Sequence, residues 1–519
     1  MASDQPGLVQ ISVSRSTEER LIVPAHCSSL SRRADELTTL RRQIATDSND
    51  ASQTALGLLD RMSPHAIAVS DSMLARLEQL HVLLGRALVD LVKRWFSDET
   101  ARLPQRMPLD LAEEAMLRWI TKTRYVPEYS EHAGCWRSDV LFGRSLDGLD
   151  DEAPYICEIN GRLPLNGVVA VGHHASGISQ LGAGKDGFET ANSLEDSHML
   201  LMNFFDTSKP LFCVRDKWPG VDSSFFLAAY TARTSQPAGV VRPTDLELRP
   251  DASSPTGYSL WDRSTGVLLS QWFAEMLQDE WTDLDLAVAR HLALTPLNDL
   301  RTVLLVHDKR LLGILPQELP GMVDRGVLTA VEADTLAAGI ARTLIPGSEE
   351  LQTLLRESAA DPAIKDDYIF KPCRDGSGSG VELGRNLSQE EWLGRLGRLA
   401  GSDALRPCQH PAVIQRLVEH HWYDVVRHEV PGVAGPKPET FHLIGSMYMF
   451  QSRRFYPGPW RLGLETHLGL SPDSPGIVMS TVYMPDWPFC NDGDEQVLLA
   501  RSGFISNGFK SLNGCAQLH

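Results

Sequence analysis

No stretch of the 519 residues approaches the run of about 20 apolar residues needed to cross a bilayer. The start Met1-Ala2-Ser3-Asp4-Gln5-Pro6 lacks the basic flank and apolar core of a secretory signal, which points to a cytoplasmic protein with no membrane partner. The eight cysteines (Cys27, Cys135, Cys157, Cys213, Cys373, Cys408, Cys490, Cys515) include no C-x-x-C pair, unlike a zinc site or a disulfide framework, and read as reduced and structural. Basic residues are in deficit, 49 against 67 acidic, for a net charge of −18. That balance argues against a chain whose main task is gripping phosphate backbones, so no nucleic-acid partner is expected. No G-x-S-x-G elbow and no H-E-x-x-H is present. The adjacent pairs His173-His174 and His420-His421 read as strand residues pointing to opposite sides, which excludes a zinc hydrolase.

What remains is an ordinary globular composition, 42% hydrophobic, 22% charged and 7% aromatic. At roughly 100–200 residues per domain the length suggests about three or four units. Residues 1–124 read as a helical N-terminal region, from the spacing of Leu58-Leu59, Met62, Ile67, Leu74, Leu77, Leu80, Leu83-Leu84, Leu88, Val89 and Val92. Residues 125–205 hold short strands at Val140–Phe142 and Tyr155–Ile159. Strand, helix and strand at Pro210–Val214, Phe225–Tyr230 and Gly239–Val241 mark a small α/β unit over 206–302. A fourth segment, 303–519, opens with an apolar strand at Thr302–Val306 and carries strands at Tyr368–Phe370, Ala412–Ile414 and Leu443–Met449.

The most informative segment is Tyr368-Ile369-Phe370-Lys371-Pro372-Cys373-Arg374-Asp375-Gly376-Ser377-Gly378-Ser379-Gly380. A strand delivers a lysine and then three alternate glycines, Gly376, Gly378 and Gly380, whose backbone N–H groups can surround an anion. The bland alternative is a Gly/Ser turn between strands. Upstream, Arg137-Ser138-Asp139 and Glu158-Ile159-Asn160 each put two polar side chains on one strand face, and Glu158 with Asn160 offers the paired oxygens that Mg²⁺ takes together with nucleotide phosphates. An exposed polar strand face is the alternative there. His307-Asp308-Lys309 opens a helix, where N–H groups and a lysine favour phosphates.

Lys-Pro followed by the glycine loop resembles the ATP-grasp ligases. Lys371-Pro372-x-Arg374-Asp375-Gly376-x-Gly378 is similar to a loop of eukaryotic-type glutathione synthetases and glutathionylspermidine synthases, and Arg-x-Asp followed by Glu-x-Asn resembles their metal and substrate motifs. The resemblance implies a mixed α/β (α+β) ATP-grasp fold, circularly permuted so that the Glu-x-Asn strand precedes the Lys-Pro loop, with the small α/β unit inserted. It implies ATP and Mg²⁺ as cofactors: Glu158, Asn160 and Asp375 as metal ligands, Asp139 supporting the metal or positioning Arg137, and Lys309, Lys371 and the glycines holding ATP. Gln415, Arg416 and Leu417 would read the adenine edge through their backbone. Arg137 and Lys371 would be catalytic, with Arg137 and Arg162 facing substrate. Arg453, Arg454, Arg461 and Arg501 are candidates for the family's late substrate arginine, and Gly503–Gly514 with Lys510 for its closing loop. The implied activity is carboxylate–amine ligation on small molecules by a monomer or homodimer. The alternative is a nucleotide-binding scaffold without ligase activity.

Overall fold

The computed structural model describes residues 7–15, 20–47, 62–145, 147–163, 165–182, 189–218, 220–373, 380–401, 405–407, 411–426, 438–463 and 479–484. Arg374, Asp375, Gly376, Gly378, Arg501 and Lys510, with the whole of Gly503–Gly514, lie outside them.

Strands β1 (Leu8–Arg15) and β2 (Arg20–Pro24) form an antiparallel pair, followed by helix α1 (Leu30–Asp47). β3 (Ala66–Ser70) pairs with β1, and the Ser70 side chain accepts from the Met73 N–H to start helix α2 (Asp71–Lys93). α2 buries Leu77, Leu80, Leu84, Leu88 and Leu91 at helical spacing. Helix α3 (Leu111–Lys122) opens with a capping box from Asp110 and Glu113. The first 124 residues are therefore mixed and not simply helical. Ile67 belongs to a strand whose residues 66–69 are all buried, and an apolar run of that length has no period to separate strand from helix.

β4 (Cys135–Gly143) and β5 (Ala153–Asn160) are antiparallel neighbours. Gly167, at φ 116°, breaks the extended chain and lets helix α4 (Val168–Leu181) begin. His173 and His174 lie on α4, buried, and not on a strand; His174 Nδ1 bonds Ser480 Oγ at 2.8 Å, a structural role. After β6 (Glu189–Thr190) and α5 (Leu194–Met202) come β7 (Leu211–Val214), α6 (Val221–Thr234), β8 (Ala238–Val241), the meander β9 (Leu246–Pro250), β10 (Tyr258–Asp262) and β11 (Val267–Leu268), then β12 (Trp272–Ala274) and α7 (Leu286–Leu292). β12, β7 and β8 form a parallel sheet in that order, the α/β layer expected within 206–302.

Thr302–Val306 is a π-helical turn, not the expected strand. The Asp299 carbonyl accepts from the N–H groups of Thr302 and Val303, and the Thr302 hydroxyl meets Tyr129 Oη at 3.0 Å, so local bonding satisfies this buried run without a sheet. Helices α8 (Arg310–Asp324) and α9 (Ala330–Ala338), strand β13 (Thr343–Leu344), helix α10 (Glu349–Ala360), β14 (Tyr368–Pro372), β15 (Glu382–Leu383), α11 (Gln389–Ala400) and β16 (Ala412–Arg416) follow. They build an antiparallel sheet in the order β13-β16-β14-β15, packed on α10 and α11 through Leu351, Leu354, Trp392 and Leu396. β17 (Tyr423–Val426), β18 (Pro438–Phe450) and β19 (Arg454–Gly463) extend the sheet of β4 and β5, where β18 pairs with β4, β17 and β19; β20 (Thr481–Met484) joins β3. The link from β16 to β17 passes so close to β4 that a side chain on Gly143 would collide with the Glu419 carbonyl. Among the described residues no helix is long and apolar enough to cross a membrane.

Candidate functional site

Alternation along β4 and β5 becomes a site through their register. Arg137 stands opposite Asn160 and Asp139 opposite Glu158, so all four side chains share one face of the sheet while Ile159 enters the core. On the other side of β4, Asp139 faces Ser446 and Arg137 faces Tyr448 of β18, and β18 brings in Arg461 of β19. Asp139 is held by Arg137 (Nε to Oδ1, 3.0 Å) and by Arg461 (Nη2 to Oδ2, 2.7 Å), with the Ser446 hydroxyl donating at 3.3 Å. Burial opposes its ionisation, yet Arg137 and Arg461 hold its pKa down to about 2. Arg137 also donates to the Asn166 carbonyl at 3.1 Å, which the Tyr448 hydroxyl shares.

Two lysines arrive from separate elements. Lys309, before α8, places Nζ 3.1 Å from Glu158 Oε1. Burial works against both charges, and each keeps the other ionised: Lys309 holds the Glu158 carboxyl below its ordinary range, and Glu158 holds the Lys309 ammonium above its own. Lys371, on β14, donates to Gln415 Oε1 at 3.0 Å and to the Cys157 carbonyl at 3.2 Å. It thereby bridges the β13-β16-β14-β15 sheet to β5 beside Glu158. The five cations Arg137, Arg162, Lys309, Lys371 and Arg461 gather around the two carboxylates Asp139 and Glu158, and all but Glu158 are buried. His307 lies near Arg162, Lys309 and Arg137, and its burial, helped by these cations, pushes its pKa well below the ordinary value.

The structure thus brings together Arg137, Asp139, Glu158, Asn160, Arg162, Lys309, Lys371 and Gln415. Of the late arginines, Arg461 is in the cluster, whereas Arg453 and Arg454 are exposed at the β18–β19 turn. Two expectations need correction. The first N–H groups of α8 are not free for phosphate, because those of Arg310 and Leu311 bond the carboxylate and carbonyl of Asp308. The Arg416 and Leu417 amides bond the carbonyls of Arg342 and Asp367, so only their carbonyls remain for an adenine edge. Gln415 turns its side chain to Lys371, Cys157 and Thr343 instead. Ser446, Tyr448 and His307 were not among the expected site residues; the alternate polar positions 446 and 448 within the apolar stretch Leu443–Phe450 were the available signal. Gly380, at φ 66°, closes the glycine loop.

Among the described residues no three His, Cys, Asp or Glu side chains converge as a metal cage. Glu158, the more exposed carboxylate, and Asn160 fit Mg²⁺, which takes one or two protein oxygens and completes its shell with phosphates and water. Asp139 is committed to two guanidiniums and fits the positioning of Arg137. A surface hollow of about 750 Å³, lined by Asp98, Arg102, Arg106, Glu318 and Arg325 among others, shares no residue with this cluster.

Residues 80–305 match the family model of the AnkG N-terminal domain. The chain is 32% identical over 444 residues to the ATP-grasp enzyme ankG of Aspergillus thermomutatus, covering 78% of this chain and 89% of that protein. It shares its fold with the apo structure of a glutathione synthetase-like effector from Globodera pallida, at 11% identity and a TM-score of 0.51, over 88% of this chain and 98% of that one. The chain belongs to the family of ATP-grasp enzymes that includes this Aspergillus protein.

Proposed function

We propose that the protein is an ATP-dependent carboxylate–amine ligase, cytoplasmic and of the permuted ATP-grasp type, with residues 206–302 as the inserted substrate unit. The observation that carries this reading is the single face shared by Arg137, Asp139, Glu158 and Asn160, met by Lys309 and Lys371 from two other elements. Among the described residues five cations meet two carboxylates there, a setting suited to a polyphosphate. A substrate carboxylate oxygen attacks the γ-phosphorus of ATP, the bond to ADP breaks, and an acyl phosphate forms; an amine then displaces phosphate, loses a proton and leaves an amide. Lys371 and Lys309 bind and orient the phosphates. Arg137, fixed by Asp139 and the Asn166 carbonyl, neutralises charge developing on the transferred group. Arg461 and Arg162 face the carboxylate substrate. Glu158 and Asn160, with Asp375 of the glycine loop, would hold Mg²⁺, which supplies charge neutralisation across the phosphates when bound.

Gly161-Arg162-Leu163-Pro164-Leu165-Asn166 replaces the small-residue run that follows Glu-x-Asn in glutathione synthetases, so the substrates are another amino acid or small peptide. A scaffold that merely binds nucleotide has no chemical need for Arg137, Glu158, Asn160, Lys371 and Asp375 together. The test is ADP and phosphate release from ATP, screened over pools of carboxylates and amines with product masses recorded. Amide product with ADP supports the proposal; AMP and pyrophosphate, or no turnover with any pair, refutes it.

A further inference from the structure

The π-helical turn Thr302–Val306 packs against Gly161, where a β-carbon would meet the Thr302 carbonyl at 3.0 Å and the His307 amide at 3.6 Å. This close approach seats His307 beside Arg162. The ring is 6% exposed, and neither Nδ1 nor Nε2 has a hydrogen-bond partner. A buried polar group left unpaired is costly, and a phenyl or leucyl side chain would fill the same space without that cost. Among the described residues the charged groups that bear on the ring are Arg162, Lys309 and Arg137, all cations. A neutral imidazole keeps one N–H donor, and the partner that three cations favour for that donor is an anionic oxygen. Asn160, across the strand pair from Arg137, likewise has a buried Nδ2 without a partner.

We infer that His307 is a positioning residue that donates its ring N–H to the terminal phosphoryl group bound among Arg162, Lys309 and Arg137. This rests on the nucleotide reading given above. The bond is made to the γ-phosphate of the nucleotide and is absent with ADP, so His307 distinguishes the two nucleotides and holds the group in line for transfer.

The experiment is calorimetric titration of the full chain with β,γ-imido-ATP and with ADP, each with Mg²⁺. His307→Phe is expected to weaken imido-ATP binding about 10- to 100-fold while ADP affinity stays within about twofold. His307→Gln, which keeps an N–H donor, recovers most of the loss. Equal losses for both nucleotides, or no loss for imido-ATP, overturn the inference. Should His307→Phe not fold, nitrogen-15 histidine spectra of the wild-type chain decide: the His307 ring signal, assigned by its absence in His307→Gln, shifts with imido-ATP and not with ADP, and a signal indifferent to imido-ATP overturns it. Wild-type chain that binds neither nucleotide removes the nucleotide reading itself; binding of both with an unaffected His307 variant removes only the role of His307.

Discussion

Glu158→Gln keeps the shape of the side chain and removes one charge from the most crowded part of the site. The Lys309–Glu158 pair is separated by 3.1 Å, with the two side chains only 4% and 19% exposed. At an effective dielectric of about 20, such a pair attracts by about 5 kcal/mol. Two effects offset part of that. The variant relieves repulsion between Glu158 and Asp139, which face each other across the strand pair, and the amide oxygen still accepts from Lys309. The net expectation is a loss of about 2–3 kcal/mol in metal-free stability, below the full cost of stranding a buried charge. On the proposed reading the same change removes a Mg²⁺ ligand, so the magnesium concentration giving half-maximal ATP turnover should rise by about tenfold or more. Urea denaturation in chelator reads the first quantity and a magnesium titration of ADP release reads the second. Unchanged midpoints in both experiments would refute the argument that this half-buried carboxylate is a charge-bearing member of the site.

Asn160→Ala should shift the magnesium midpoint in the same direction by less and leave stability nearly unchanged, since its Nδ2 has no partner to lose; a stability loss as large as that of Glu158→Gln speaks against this. Lys371→Ala should lower ATP turnover by on the order of 10²–10³, the scale of one charge-stabilising donor, while the circular dichroism spectrum is retained; wild-type turnover in a folded variant would assign Lys371 to the inter-sheet contact alone. Asp222 accepts from the N–H groups of Gly167, Val169 and Ala170 at 3.1, 3.1 and 2.7 Å and so locks α6 to the start of α4. Asp222→Ala should cost about 2–4 kcal/mol in thermal or urea unfolding, and a wild-type midpoint would contradict that lock. Burial lowers the pKa values of His81, His173, His174, His198 and His420 to about 4 from 6.5. The unfolded chain therefore binds protons that the folded chain does not, and stability should fall as pH drops through 6.5 towards 4, by about 1 kcal/mol per histidine at pH 5.5. Melting midpoints that stay level between pH 7.5 and 5 would show these rings to be hydrated or already charged.

The sequence by itself determined the pairs Arg137/Asp139 and Glu158/Asn160, the strand that carries Lys371, and the small parallel layer after residue 206. Side-chain alternation, helix caps and short strand–helix repeats are local properties, legible before anything packs. Tertiary structure decided which pairs meet. Arg461 reaches Asp139 only because β18 lies between β4 and β19, and nothing in the four late arginines separated it from Arg453 or Arg454. The same holds for Gln415: the expectation concerned its backbone alone, and its side chain came to support Lys371 only once β16 was laid beside β14. Thr302–Val306 and Ala66–Val69 are apolar runs without period, so burial and neighbouring hydrogen bonds chose π-turn for one and strand for the other. His307 carried no sequence signal because its meaning lies in what surrounds it: three cations and no partner, a condition created by desolvation when distant segments close around the ring.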